Sequence, residues 1–124
     1  MFKSGTIYSN FTPLVKSPVI GYRISGNDVI EILKKLTHKN FSKDHSRVKL
    51  VKLFKKDETL LDDCSVVYFK SPKSFTGEDV CEIFLHGSPL IASQFEQTLK
   101  EFKIPGLRLA KNGEFSYRSV LNSK

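Results

Sequence analysis

Seven residues, VCEIFLH at positions 80–86, constrain the fold more than any other stretch of the chain. Gly77 precedes them, Gly87 follows, and the run is rich in β-forming side chains, so it reads as a strand. With a two-residue period, Cys81, Ile83 and Leu85 share one wholly apolar face, while Val80, Glu82, Phe84 and His86 share the other. A helix would instead stack Glu78, Glu82 and His86 at i, i+4 and i+8 and point to a metal, but the composition and the flanking glycines favour the strand. Such a strand needs neighbours in a sheet and apolar cover on one side. A chain of 124 residues has room for one core of that kind and no second.

The remaining segments supply the neighbours. Residues 6–10 (TIYSN) and 18–24 (PVIGYRI) read as two strands across a Pro-containing stretch, and RVKLVKLF and CSVVYFK read as an antiparallel pair joined by the turn-like KKDET. Ser25 and Asp28 have the capping-box spacing, ahead of Val29, Ile30, Leu33 and Leu36 at helical intervals. Ser88-Pro89 opens a second helix with Leu90, Ile91, Phe95, Leu99 and Phe102 on one face, and Pro105-Gly106 stops it. Leu107–Ala110 is a short strand. After the Asn112-Gly113 turn, EFSYRSVLNSK begins a last helix that the end of the sequence cuts off, leaving Phe115, Val120 and Leu121 half-served, as in a piece of something larger. No repeat, low-complexity tract or linker interrupts residues 1–124. The fold class expected is α+β, a mixed or antiparallel sheet with helices on one side.

Composition narrows the function by exclusion. No apolar run approaches the roughly 18–20 residues of a membrane span, and no signal-peptide region precedes the first strand, so the expected address is the cytosol. Cys64 and Cys81, set in apolar runs without a Cys-x-x-Cys spacing, read as reduced packing residues. The net charge of +7 favours anionic partners, but most basic residues are lysines of the solvated type. The lysines between Lys34 and Lys56 lack interleaved aromatics and read as a solvated face. Only Arg23, Arg47, Arg108 and Arg118 carry the planar fork that grips anions in pairs. Phosphate-cradling, zinc-hydrolase and serine-hydrolase motifs are all missing from the sequence, and no catalytic residue is assigned.

Among candidate site residues, Glu82 projects between Val80 and Phe84, where a partly desolvated carboxylate needs donors. A wet edge or a cross-strand lysine would satisfy it as well as a ligand, and composition alone favours that ordinary answer. Arg23, at the end of a strand and just before a helix, is evenly balanced between a binding group and half of a surface ion pair. His86 reads as a strand-end hydrogen-bonding residue, Glu78 and Asp79 as loop acids, and Arg118 and Lys124 as solvated basic residues.

Three segments taken in order, YRISG at 22–26, SFTGEDVCEIFLHGS at 74–88 and NGEFSYRSVLN at 112–122, resemble the N-terminal domain of the tRNA modification GTPase family MnmE, also called TrmE. The resemblance runs from Thr6 to Lys124. It implies an α+β fold similar to the folate-binding domain of aminomethyltransferases, a constitutive homodimer, and binding of 5-formyl- or 5,10-methylenetetrahydrofolate. In that family the whole protein works with the FAD-dependent partner MnmG on carbon 5 of the wobble uridine of tRNA. Its GTPase, with GTP, magnesium and potassium, lies in a later domain outside these 124 residues, so no catalysis is expected from this chain alone. Carried across by motif, the folate-contacting positions are Arg23, Glu82 and Lys124. That resemblance turns Glu82 into a receptor for the pterin edge, whose amino group and ring N–H lie side by side, with Arg23 and Lys124 as donors to the rest of the ligand. Where the family has a Pro-Gly-x-x-Gly loop, this chain has Pro13 to Pro18 with Val15 and Pro18 in place of the glycines, which implies a differently shaped loop. Ser88, Asn112 and Ser119-Val120 also depart from the family pattern. The alternative is a scaffold or RNA-binding domain that keeps the fold without the ligand.

Overall fold

The computed structural model describes residues 5–11 and 18–123. In chain order they form β1 (Ile7–Phe11), β2 (Val19–Ser25), α1 (Val29–Thr37), β3 (Val48–Phe54), β4 (Leu60–Phe69), β5 (Val80–His86), α2 (Pro89–Glu101), β6 (Arg108–Leu109) and α3 (Glu114–Leu121). The strands make one sheet in the order β3-β4-β5-β2-β1-β6. Every neighbouring pair is antiparallel except β1 and β6, so the sheet is mixed and the fold is α+β, as expected.

The two-residue period read from VCEIFLH holds across the sheet. Cys81, Ile83 and Leu85 are fully buried and belong to one core with Tyr22 and Ile24 of β2 and Val66 and Tyr68 of β4. Onto this face α1 brings Val29, Ile32, Leu33 and Leu36, and α2 brings Phe95 and Leu99, the ring of Phe95 meeting that of Tyr22 at 4.7 Å. Burying side chains of this size stabilises by about 1.5–3 kcal/mol each, which is what pins α1 and α2 to one side; α3 departs from the expected one-sided arrangement, because its Phe115 meets Arg23 on the other face. Cys64 and Cys81 are free thiols within the same core, and burial pushes the Cys64 thiol up to about 12. Among the described residues, no helix is long and apolar enough to cross a membrane.

Several local expectations are corrected. Ser25 does not cap α1. It ends β2, buried, with its hydroxyl 2.7 Å from both Thr76 Oγ1 and Glu78 Oε1. The residue before α1 is Asp28, and Thr6 does the tying there: its hydroxyl donates to Asp28 Oδ2 at 2.8 Å and accepts from the Asp28 N–H at 3.1 Å. Ile32, rather than Ile30, completes the buried stripe of α1, because 3.6 residues per turn carry Ile30 to its margin. Leu90 stands 66 % exposed at the start of α2, off the face that holds Phe95 and Leu99. The helix ends at Glu101, ahead of Pro105-Gly106. Strand β4 starts at Leu60, four residues earlier than the CSVVYFK run.

Candidate functional site

The sheet face opposite α1 and α2 carries the candidate site. Strands β2 and β5 pair so that Arg23 lies directly opposite Glu82, Gly21 opposite Phe84 and Val19 opposite His86. Residues directly opposite on antiparallel strands have neighbouring side chains, and here they form an ion pair. Arg23 donates from Nε at 3.1 Å and from Nη2 at 2.9 Å, both to Glu82 Oε2. Glu82 Oε1 has no hydrogen-bond partner among the described residues. The two side chains are 24 % and 18 % exposed, so the pair is half-buried and still open to approach from solvent.

Aromatic rings surround it. The Arg23 guanidinium carbon lies 4.9 Å from the ring centres of both Phe11 and Phe75 and 5.7 Å from that of Phe115. Phe11 also meets Phe84 edge-on at 5.9 Å. That approach depends on Gly21, where a Cβ would come within 2.8 Å of the Phe11 ring. The site thus combines one carboxylate with spare lone pairs and flat apolar walls from β1, the β4–β5 connection and α3. Chemically it suits a flat ring bearing paired N–H donors. A cavity of about 1070 Å³ reaches Phe84 and His86 of β5 but extends to Thr37 and Cys64 on the other side of the sheet, and it includes neither Arg23 nor Glu82.

The structure therefore brings two of the three expected site residues into direct contact. Lys124, and Val15 of the altered loop, lie outside the described residues. Pro18 is described, and its carbonyl accepts from the Gly87 N–H at 3.0 Å, joining that loop's end to the turn after β5. His86 behaves as a strand-end hydrogen-bonding residue, its Nδ1 2.9 Å from Asp62 Oδ1 and its N–H donating to Asp62 Oδ2. Among the described residues no group of three or more His, Cys, Asp and Glu side chains is placed to hold a metal.

Sequence reading missed the polar anchor beneath the site. Arg118 is not a solvated residue. It is 7 % exposed, donating from Nη1 to Glu78 at 3.1 Å and from Nη2 to Glu114 Oε2 at 3.3 Å. Glu114 is fully buried and also takes Arg108 through both Nη atoms, at 2.8 and 2.6 Å, and the Lys111 N–H at 3.0 Å. The hydrogen bonds from Arg108 are the main reason its carboxyl is held down at about 2, against the opposing effect of burial. Glu78, read as a loop acid, joins this network, and Asp79 accepts from the Tyr68 hydroxyl at 3.1 Å and the Ser71 N–H at 2.9 Å. Together with Asn122, which donates to the Thr76 carbonyl at 3.0 Å, these contacts fix α3 over the sheet and place Phe115 beside Arg23. The i, i+4 spacing of Glu114 and Arg118 was the one available signal in the sequence.

A family profile described as "GTP-binding protein TrmE N-terminus" matches residues 6–124. Among curated relatives, a tRNA modification GTPase MnmE of Helicobacter pylori (strain J99 / ATCC 700824) is 47 % identical over 120 residues, covering 96 % of this chain and 25 % of the relative. Another of the same description from Rickettsia bellii (strain OSU 85-389) is 41 % identical over 119 residues, covering 96 % and 26 %. The chain spans about a quarter of the length of these relatives.

Proposed function

From the premise that this chain belongs to the TrmE N-terminus family, we propose that it is the tetrahydrofolate-binding and dimer-forming module of a tRNA-modifying GTPase. The ligand is a one-carbon tetrahydrofolate, 5-formyl or 5,10-methylene. Glu82 accepts the paired N–H edge of the pterin, the rings of Phe11, Phe75 and Phe115 flank its plane, and Arg23 and Lys124 serve the polar remainder. The observation that carries this reading is the Glu82 carboxylate itself, paired with an Arg23 guanidinium ringed by phenylalanines and with one oxygen lacking a partner among the described residues. When bound, the folate supplies the one-carbon unit; this chain binds and orients it. Transfer to the wobble uridine, with MnmG as partner in the cytoplasm, belongs to the longer protein.

Isothermal titration with 5-formyltetrahydrofolate tests the binding. Micromolar affinity is expected, and Glu82→Gln, which replaces charge-assisted bonds with neutral ones and turns a donor toward the pterin's donors, is expected to weaken it about 30-fold, or about 2 kcal/mol. No heat at millimolar ligand leaves the scaffold or RNA-binding reading in its place. For the dimer, the supporting feature is the edge strand β3, which exposes Val48 by 69 % and Leu50 by 83 % on the same sheet face. Light scattering is expected to give twice the monomer mass of 14.1 kDa, and Leu50→Lys to shift the protein toward monomer; a strict monomer at high concentration removes this part of the proposal.

A further inference from the structure

Arg23 and the pterin edge present the same chemical fragment. A guanidinium is a planar carbon bearing nitrogen donors, and the amino group, C2 and N3 of a pterin are the same N–C–N unit closed into a ring. In this structure Arg23 directs two N–H donors at Glu82 Oε2 while its guanidinium carbon lies 4.9 Å from two phenylalanine ring centres. A flat heterocycle reading Glu82 through both oxygens needs the lone pairs Arg23 uses and the aromatic walls that Arg23 fills.

We propose that Glu82 and the phenylalanine rings around the Arg23 guanidinium form a receptor for planar N–C–N edges, that Arg23 is its built-in occupant, and that ligand enters by exchange, the Arg23 guanidinium leaving Glu82 as the heterocycle takes it. The inference rests on the folate reading for the identity of the natural ligand, but the receptor does not depend on it. Three features carry the exchange. The pair is partly exposed, Arg23 by 24 %, so Arg23 has solvent to move into. Its two donors fall on one oxygen instead of spanning both, which is the weaker of the arrangements open to a guanidinium and a carboxylate. And the two partners sit on adjacent central strands in fixed register, so that the carboxylate stays in place whichever group it holds. Exchange also releases Arg23 toward the polar part of the same ligand, giving one residue two successive contacts.

The test uses two probes. The first is 6-methyltetrahydropterin, which has the recognition edge but no benzoyl-glutamate tail for Arg23 to meet. Removing a partly exposed competing ion pair in Arg23→Met is expected to tighten this probe about five-fold, the equivalent of about 1 kcal/mol. The second is ethylguanidinium, which is expected to raise the melting temperature of Arg23→Ala, while ethylammonium does not, and to have no such effect on the wild type or on Arg23→Ala/Glu82→Gln. Should Arg23→Ala fail to fold, Arg23→Lys, which keeps the charge and loses the fork, takes its place. Absence of guanidinium rescue, or pterin affinity unchanged or lowered in Arg23→Met, overturns the exchange even where the wild type binds 5-formyltetrahydrofolate. Rescue by guanidinium in a protein that binds no folate supports the receptor and removes the folate.

Discussion

Glu114→Gln is expected to lose about 3 kcal/mol of stability at pH 7, with the difference from wild type closing as the pH falls from about 4.5 to about 2. The carboxylate is fully buried and joins Arg108 and Arg118, of which Arg118 is itself 7 % exposed. Neutralising it removes the carboxylate that both guanidinium groups share, although Arg118 keeps Glu78, and breaking one member of a buried ionic cluster costs about 3–5 kcal/mol. The direction with pH follows from the lowered carboxyl. Its folded value of about 2 lies below the ordinary 4.5, so its contribution is complete above 4.5 and disappears as protons bind on the way down to 2. Urea unfolding of both proteins at pH 7 and near pH 2 measures the two ends. A gap under about 1 kcal/mol at neutral pH, or one that stays constant on acidification, removes the network from the account of stability. Amide exchange in α3 should rise with the loss, because the same side chains hold that helix to the sheet, and with it Phe115 would leave Arg23.

How much of this arrangement was legible in the sequence depends on the range of the interaction involved. The face assignment of β5 was legible because glycines bound the run and the apolar period is two, and both facts are local. The existence of α1 and α2 was legible for the corresponding reason at a period of 3.6, although Leu90 and Ile30 show that the edge of a helical stripe is set by what packs on it. Ser25 failed because its spacing to Asp28 imitates a cap, while a partner 51 residues away, Thr76, draws it into the sheet. Arg118 failed likewise: its spacing to Glu114 was visible, but burial comes from Glu78, which is 40 residues away. The pairing of Arg23 with Glu82, 59 residues apart, required the register of β2 on β5, and side-chain periodicity says nothing of which strands are neighbours. Glu82 was singled out by its apolar flanks; the rings of Phe11, Phe75 and Phe115 around its partner were not, since they reach the site from three different elements.

Gly26, the last residue of the YRISG segment, is where β2 turns toward α1, and its replacement by alanine is expected to cost about 3–5 kcal/mol. Two effects add. The backbone there has φ of +143°, a conformation that side chains rarely adopt and that costs about 1–3 kcal/mol for a residue other than glycine. A Cβ would also lie 2.5 Å from Thr6 Oγ1 and 2.6 Å from Thr6 Cα, and because the second of these is backbone, the strain cannot be relieved by rotating a side chain. Overpacking of that kind costs about 1–3 kcal/mol more. Thr6 is fully buried and holds Asp28 at the start of α1, while the Gly26 N–H donates to the Asp79 carbonyl, so displacement there strains three elements at once. Gly113 provides the comparison. Its φ of +77° is also positive, but nothing lies within 4 Å of its would-be Cβ, so Gly113→Ala meets the backbone penalty alone, about 1 kcal/mol. Thermal unfolding should therefore separate the two variants by roughly 10 °C, and equal losses would mean that the close approach of Thr6 carries no energy.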